Sequence, residues 1–172
     1  MFVLVALAGG WAGTARAEDD EALIRQGIEQ RRQGHDLQAL ELFQRAVAIK
    51  KTPRGVAQMA LAEQAVGPWV KAEDHMKAAF ALPPDPWMTS HRKTLDSALG
   101  VIEEHLGTLE IWGEPAGAEV RAQEQAIGKL PDTAAVRVPV GPLTVWVRAS
   151  GYTPWSRVFD IKKAEFVKEH VQ

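Results

Sequence analysis

The chain has 172 residues, of which 46% are hydrophobic and 24% charged, a balance typical of a globular protein with one domain or two small ones. Its formal net charge at pH 7 is −2 and it has no basic stripe, so the composition excludes a protein that holds nucleic acid by charge. Cysteine is absent, which excludes disulfide bonds, thiolate zinc sites and cysteine nucleophiles.

Residues 1–17 have the composition of an export leader. The sequence MFVLVALAGGWAGTARA combines an apolar run with small residues that end in Ala15-Arg16-Ala17. We therefore predict a signal peptide over 1–17, cleavage after Ala17, and a periplasmic or secreted protein that begins at Glu18. No Lys or Arg lies between Met1 and the apolar run, although leaders usually carry a basic residue there. Two alternatives stay open: an uncleaved leader that anchors the chain in a membrane, and a cytoplasmic chain.

Residues 18–106 carry apolar side chains at helical spacing, and the pattern repeats after 33 residues. In each copy a glycine ends one helix, two alanines allow helices to cross closely, a large apolar side chain fills the seam, and a proline closes the unit. The first copy has Gly34, Ala39, Phe43, Ala46 and Pro53, and the second has Gly67, Ala72, Met76, Ala79 and Pro86.

The segments GHDLQALELFQRA and GPWVKAEDHMKAA resemble the second half of tetratricopeptide repeats, which are helix–turn–helix units of about this length. The early Trp and mid-helix Tyr of that family are not evident, and a generic pair of helical hairpins is the alternative. The resemblance implies a short groove, lined by the first helix of each pair, that binds a protein partner. The family's groove positions correspond here to Ile24, Ile28, Arg31, Arg54, Leu61 and Gln64.

The segment DPWMTSHRKTLDSALGVIEEHL predicts one further helix that caps the repeats. Asp85 is the expected N-cap, Pro86 the first helical residue, and Gly107 the residue that ends the helix. A coiled-coil dimer is the alternative, but the segment holds too few heptads to favour it.

Residues 107–172 change to an alternating pattern, with short runs bounded by Gly or Pro. These runs predict a small antiparallel β-sandwich docked on the last helix. The fold class is therefore α+β, with helical hairpin repeats and a capping helix before the sandwich. The predicted strands are TLEIW, AEVRA, AAVRVPV, LTVWVRA and WSRVFDI.

The turn EPAGAEV, together with IGKLP and VPVGPLTVWVRASGY, resembles the PEGA domain, whose Pro-Glu-Gly-Ala signature reads Pro-Ala-Gly-Ala at residues 115–118. The likeness covers 107 to about 161. The stretch VRAQEQAIG departs from it, because that family usually turns there on Asp-Gly. Helical repeats followed by a PEGA domain behind a leader resemble envelope-associated bacterial proteins, which implies export and interaction with other proteins.

The sequence offers no recognisable reaction chemistry. Its five histidines do not form a metal-binding spacing, and neither a nucleophile elbow nor a glycine-rich phosphate loop occurs. We therefore expect no catalytic residue, no metal and no cofactor, and predict that the protein is not an enzyme.

Strand alternation places Trp112 and Trp146 opposite the apolar side chains of TLEIW and LTVWVRA. We expect both rings to be buried against the helical half. The alternatives are an exposed aromatic patch that binds a partner or a sugar, and a bulge that reverses one register. The leading hypothesis is a non-catalytic scaffold of the cell envelope with protein partners. The alternative is a module that binds cell-wall glycan through Trp112 and Trp146.

Overall fold

The computed structural model describes residues 19–172, so the predicted signal peptide over 1–17 lies outside the described part of the chain. Within the described residues, five α-helices precede seven β-strands, which confirms the predicted α+β class. The helices are α1 (Asp20–Arg32), α2 (Asp36–Ile49), α3 (Pro53–Val66), α4 (Trp69–Ala81) and α5 (Pro86–Glu103). The strands are β1 (Leu106–Gly113), β2 (Glu119–Ala122), β3 (Gln125–Lys129), β4 (Val136–Pro139), β5 (Gly141–Arg148), β6 (Trp155–Ile161) and β7 (Phe166–Val171).

The helix starts show the 33-residue repeat directly. The N-caps of α1, α3 and α5 are Asp19, Thr52 and Asp85, spaced 33 residues apart. In each case the side-chain oxygen accepts a hydrogen bond from a backbone N–H of the first turn, which satisfies a donor that the helix itself leaves unpaired. Helix α5 therefore begins as a third copy of the first-helix position and then extends beyond it.

The seam between α1 and α2 explains why a glycine lies in the middle of α1. Gly27 is buried against the ring of Phe43, and a Cβ at this position would lie 2.5 Å from Phe43 Cε1. The predicted small and large seam residues are all buried, as the repeat pattern requires: Ala39, Phe43, Ala46, Ala72, Met76 and Ala79.

Helix α5 closes the helical half by burying one stripe, which includes Met88, Leu95 and Ile102. The prediction that Gly107 ends this helix is wrong. The helix ends at Glu103, and Gly107 lies inside β1. The glycine is required there by close packing, because a Cβ would lie 2.4 Å from Ile161 Cγ2.

The strands form two sheets, with orders β4-β1-β7 and β3-β2-β5-β6. The strands β1 and β7 pair in parallel. The expectation of a wholly antiparallel sandwich is therefore wrong for this pair. Two strands, β3 and β7, were not among the predicted runs. Apolar side chains from both sheets meet in one core, including Leu109 and Ile111 of β1 and Val145 and Val147 of β5.

The two halves are joined by an ionic cluster as well as by apolar packing. Arg137 of β4 donates from Nε to Oε2 of Glu73 in α4 at 3.0 Å, and from Nη1 to Oγ1 of Thr108 in β1 at 3.0 Å. Lys77 Nζ lies 2.9 Å from the second Glu73 oxygen, and the Glu73 side chain is only 2% exposed. Leu106 at the start of β1 packs in the core of the helical half.

Within residues 19–172, none of the helices is both long enough and apolar enough to cross a membrane.

Candidate functional site

The first helices of the repeats lie side by side and form one surface, which we call the α1–α3–α5 face. Contacts along it join residues that are 33 positions apart. Arg54 of α3 donates from Nη1 to Oε2 of Glu21 in α1 at 3.2 Å, and its guanidinium lies 5.8 Å from the ring centroid of Trp87 in α5. The row Glu21, Arg54 and Trp87 therefore aligns the three helices in repeat register.

A second row on α1 and α3 carries the other predicted groove residues. Ile28 and Leu61 occupy equivalent positions in the two repeats, and both are half-buried. Arg31 donates from Nη1 to Oε1 of Gln58 at 3.4 Å, and its Nε lies 3.7 Å from Asp36. Gln64, the counterpart of Arg31 one repeat later, is half-buried as well. The structure thus brings five of the six predicted groove residues to neighbouring helices with part of each side chain accessible.

Ile24 was predicted as a groove residue, and this prediction is wrong. Its side chain is fully buried, and its Cδ1 would lie 3.4 Å from a Cβ built on Gly55 of α3. Ile24 belongs to the apolar stripe that α1 buries, together with Leu23 and Gly27. A fully buried side chain in this stripe packs helices together and offers no surface to a partner.

The guanidinium of Arg54 is held in place but retains donor capacity. Its side chain is 26% exposed, so part of it is accessible to a bound segment although Nη1 bonds Glu21. A guanidinium carries five N–H donors in a planar fork that matches a carboxylate. Arg54 can therefore receive a carboxylate or carbonyl oxygen from a bound segment while it keeps its bond to Glu21.

Buried acids elsewhere in the helical half have structural partners. Glu63 of α3 is 2% exposed, and its Oε2 lies 2.7 Å from Nδ1 of His75 in α4. Burial raises the pKa of Glu63, and the hydrogen bond from His75 lowers it only in part. Among residues 19–172, no three His, Asp or Glu side chains are grouped in a way that would bind a metal ion.

The expectation that Trp112 and Trp146 are buried against the helical half is wrong. Trp112 is 41% exposed and Trp146 is 37% exposed. They also lie in different sheets, since Trp112 belongs to β1 and Trp146 to β5. Because the inner faces of both strands fill the core, the two rings point outward on opposite sides of the sandwich. They cannot form one stacking platform, so a single glycan cannot stack on both rings.

Trp112 instead contributes to a pocket at the C-terminal end of β1, which we call the distal pocket. It has a volume of about 530 Å³, and Trp112, Glu114, Pro115, Pro131, Tyr152 and His170 contribute to its lining. Trp112 and His170 are cross-strand partners in β1 and β7, and their rings stack with centroids 4.0 Å apart. Tyr152, in the turn between β5 and β6, is 62% exposed.

Sequence reasoning missed Tyr152 and His170 as members of this pocket. The Gly-Tyr turn after β5 marked Tyr152 as a turn residue, and alternation in FVKEHV places His170 and Lys168 on one face. Neither signal shows that these segments reach the end of β1. That proximity follows from the parallel pairing of β1 with β7.

No protein-family model, curated protein or solved structure matches this chain. The tetratricopeptide and PEGA assignments therefore stay predictions from the sequence.

Proposed function

We propose that this chain is a non-catalytic, exported scaffold protein of the bacterial cell envelope, whose α1–α3–α5 face binds a segment of a protein partner. The observation that carries the proposal is the row Glu21, Arg54 and Trp87, in which one side chain from each first helix contacts the next. This register sets equivalent positions of successive repeats side by side, which is how helical repeat proteins build extended binding surfaces.

The side chains on this face indicate the chemistry of the partner. Ile28 and Leu61 supply apolar contacts at equivalent positions of α1 and α3, and the guanidiniums of Arg31 and Arg54 lie on the same two helices. Apolar anchors beside a partly buried Arg are typical of protein interfaces. We expect a short partner segment that combines apolar side chains with at least one carboxylate, which Arg54 would bind.

The envelope location rests on the leader sequence and is tested separately. Mass spectrometry of the protein isolated from its native host should give a mature chain that begins at Glu18. An intact chain from Met1 in the soluble cytoplasmic fraction would contradict export.

The binding face is tested by capture from envelope extract, with captured proteins identified by mass spectrometry. Ile28→Asp and Leu61→Asp place a carboxylate on the apolar part of the face and should reduce capture at least about tenfold. Arg54→Ala tests the same surface without disturbing the apolar packing and should weaken capture by several-fold, about 1–2 kcal/mol.

The matched control is Leu37→Asp, which makes the same change on the exposed side of α2, where Leu37 is 62% exposed. Circular dichroism and thermal melting separate lost binding from lost folding. Capture that is unchanged in folded Leu61→Asp and Arg54→Ala proteins would refute the assignment of this face.

A further inference from the structure

Four separate segments line the distal pocket, and backbone hydrogen bonds tie three of them together. Gly113 N donates to Pro131 O at 2.7 Å, and Glu114 N donates to Val171 O at 3.0 Å. These bonds fix the end of β1 to the loop before β4 and to the end of β7. The stacked His170 ring further restricts the orientation of Trp112. Apart from the turn that carries Tyr152, the walls of the pocket are thus set by the fold, as in binding sites that are largely formed before the ligand arrives.

The chemistry of the lining is aromatic and polar, with little charge. The rings of Trp112 and Tyr152 and the pyrrolidines of Pro115 and Pro131 supply apolar surface. Glu114, Tyr152 and His170 supply a carboxylate, a phenol and an imidazole, which between them donate and accept hydrogen bonds. Lys and Arg are absent from the residues that line the pocket, so it is poorly suited to a phosphate or another anion.

We propose that the distal pocket binds a neutral, hydroxyl-rich oligosaccharide. The C–H face of a pyranose ring presents apolar surface to an aromatic ring, while its edge carries hydroxyls that need donors and acceptors. The distal pocket offers both kinds of group, and its volume of about 530 Å³ lies in the range of small-molecule sites. Trp112 and Tyr152 provide the apolar contacts, and Glu114 and His170 bind hydroxyls. Trp146 takes no part, because it lies on the other sheet.

This site is independent of the α1–α3–α5 face. Strand β1 begins beside α5 and ends at the pocket, and its eight residues span about 25 Å in an extended strand. A protein partner and a glycan would therefore occupy separate surfaces. If the experiment on the distal pocket fails, the proposal for the α1–α3–α5 face is unaffected, and the reverse also holds.

Isothermal titration calorimetry of the full chain tests the proposal, with neutral oligosaccharides as probes: oligomers of N-acetylglucosamine and of β-linked glucose. A decamer of proline serves as the competing probe, since aromatic grooves also bind such peptides. We expect the unmodified protein to bind at least one of the sugars. Trp112→Ala and Tyr152→Ala should each weaken that binding about tenfold or more, which corresponds to about 1.4 kcal/mol.

Trp146→Ala is the matched control, because it removes an indole of similar exposure from the opposite sheet, and it should change sugar affinity less than about twofold. Tyr152→Ala keeps the test valid if Trp112→Ala disturbs folding, since Tyr152 is a largely exposed turn residue. The proposal is overturned if none of the sugars binds, if Trp146→Ala weakens binding as much as Trp112→Ala, or if the proline decamer alone binds in a Tyr152-dependent manner.

Discussion

Replacing Arg137 by Met tests how the two halves of the molecule are held together. The change removes the guanidinium that bonds Glu73 of α4 and Thr108 of β1, while Met retains much of the apolar stem. Glu73, 2% exposed, then keeps Lys77 as its cation. Because a buried carboxylate has lost one of two partners, the variant should be less stable than the unmodified protein.

The size of the loss follows from the burial of this cluster. Breaking a fully buried ion pair costs about 3–5 kcal/mol, because the remaining charge is left without compensation. Lys77 remains beside Glu73, and the Arg137 side chain is 29% exposed, so solvent already screens part of the interaction. We therefore expect Arg137→Met to lower the free energy of unfolding by about 2 kcal/mol at pH 7. With a urea dependence of about 2 kcal/mol per molar, the midpoint should fall by about 1 M.

The pH dependence of this loss has a definite sign. Burial alone would raise the pKa of Glu73, but hydrogen bonds from Arg137 and Lys77 outweigh it and hold the pKa below the ordinary value of 4.5. A carboxyl with a lowered pKa in the folded state contributes stability above its unfolded pKa, and this contribution disappears as the pH falls through the folded pKa. The difference between Arg137→Met and the unmodified protein should therefore be full at pH 7 and shrink progressively below pH 4.5.

Urea unfolding, followed by circular dichroism and tryptophan fluorescence at pH 7 and at about pH 3.5, measures both effects. Arg148→Met is the control, since Arg148 is exposed on the outer side of β5 and should cost less than about 1 kcal/mol. A loss below about 0.5 kcal/mol at pH 7, or an equal loss at both pH values, would refute the role assigned to the cluster.

Four further substitutions give expected changes in stability, each measured by urea or thermal unfolding. Gly27→Ala should destabilise by about 1–2 kcal/mol because its methyl group meets the buried ring of Phe43, whereas Gly100→Ala, with open space around its Cβ, should stabilise α5 by about 0.5–1 kcal/mol. Glu63→Gln should be more stable than the unmodified protein at pH 7 and equal to it well below pH 4.5, because the raised pKa of Glu63 makes its ionised form costly in the folded state. Gln123→Gly should stabilise the β2–β3 turn by about 0.5–1 kcal/mol, since residue 123 has a φ of 50°. Equal effects at the two glycines, a pH-independent Glu63→Gln difference, or a destabilising Gln123→Gly would contradict these respective assignments.

The helical half could be predicted well from sequence because its determinants are local. N-cap residues, glycines after helices and the apolar stripe all act within a few helical turns. Because these features recur after 33 residues, the sequence predicts a helical repeat. The same pattern does not show that Ile24 is fully buried whereas Ile28 is only half-buried. Both lie on apolar parts of α1, and their different burial depends on the distance between α1 and α3 at Gly55.

The sandwich was less predictable because strand pairing joins distant segments. Alternation correctly placed Trp112 and Trp146 on the outer faces of their own strands, but it does not show which sheet each strand enters. Strand β7 was missed because FVKEHV is largely polar, and half-buried Glu169 occupies an inward position between Val167 and Val171. Without β7 the distal pocket could not be foreseen.

Site-specific photo-cross-linking in envelope extract shows whether a partner binds the α1–α3–α5 face. A photoreactive amino acid replaces Gln64 on α3 in one protein and Gln38 on the exposed side of α2 in another. We expect a cross-linked partner from position 64 that is absent from position 38. A partner that cross-links from position 38, or equally from both positions, would contradict this expectation.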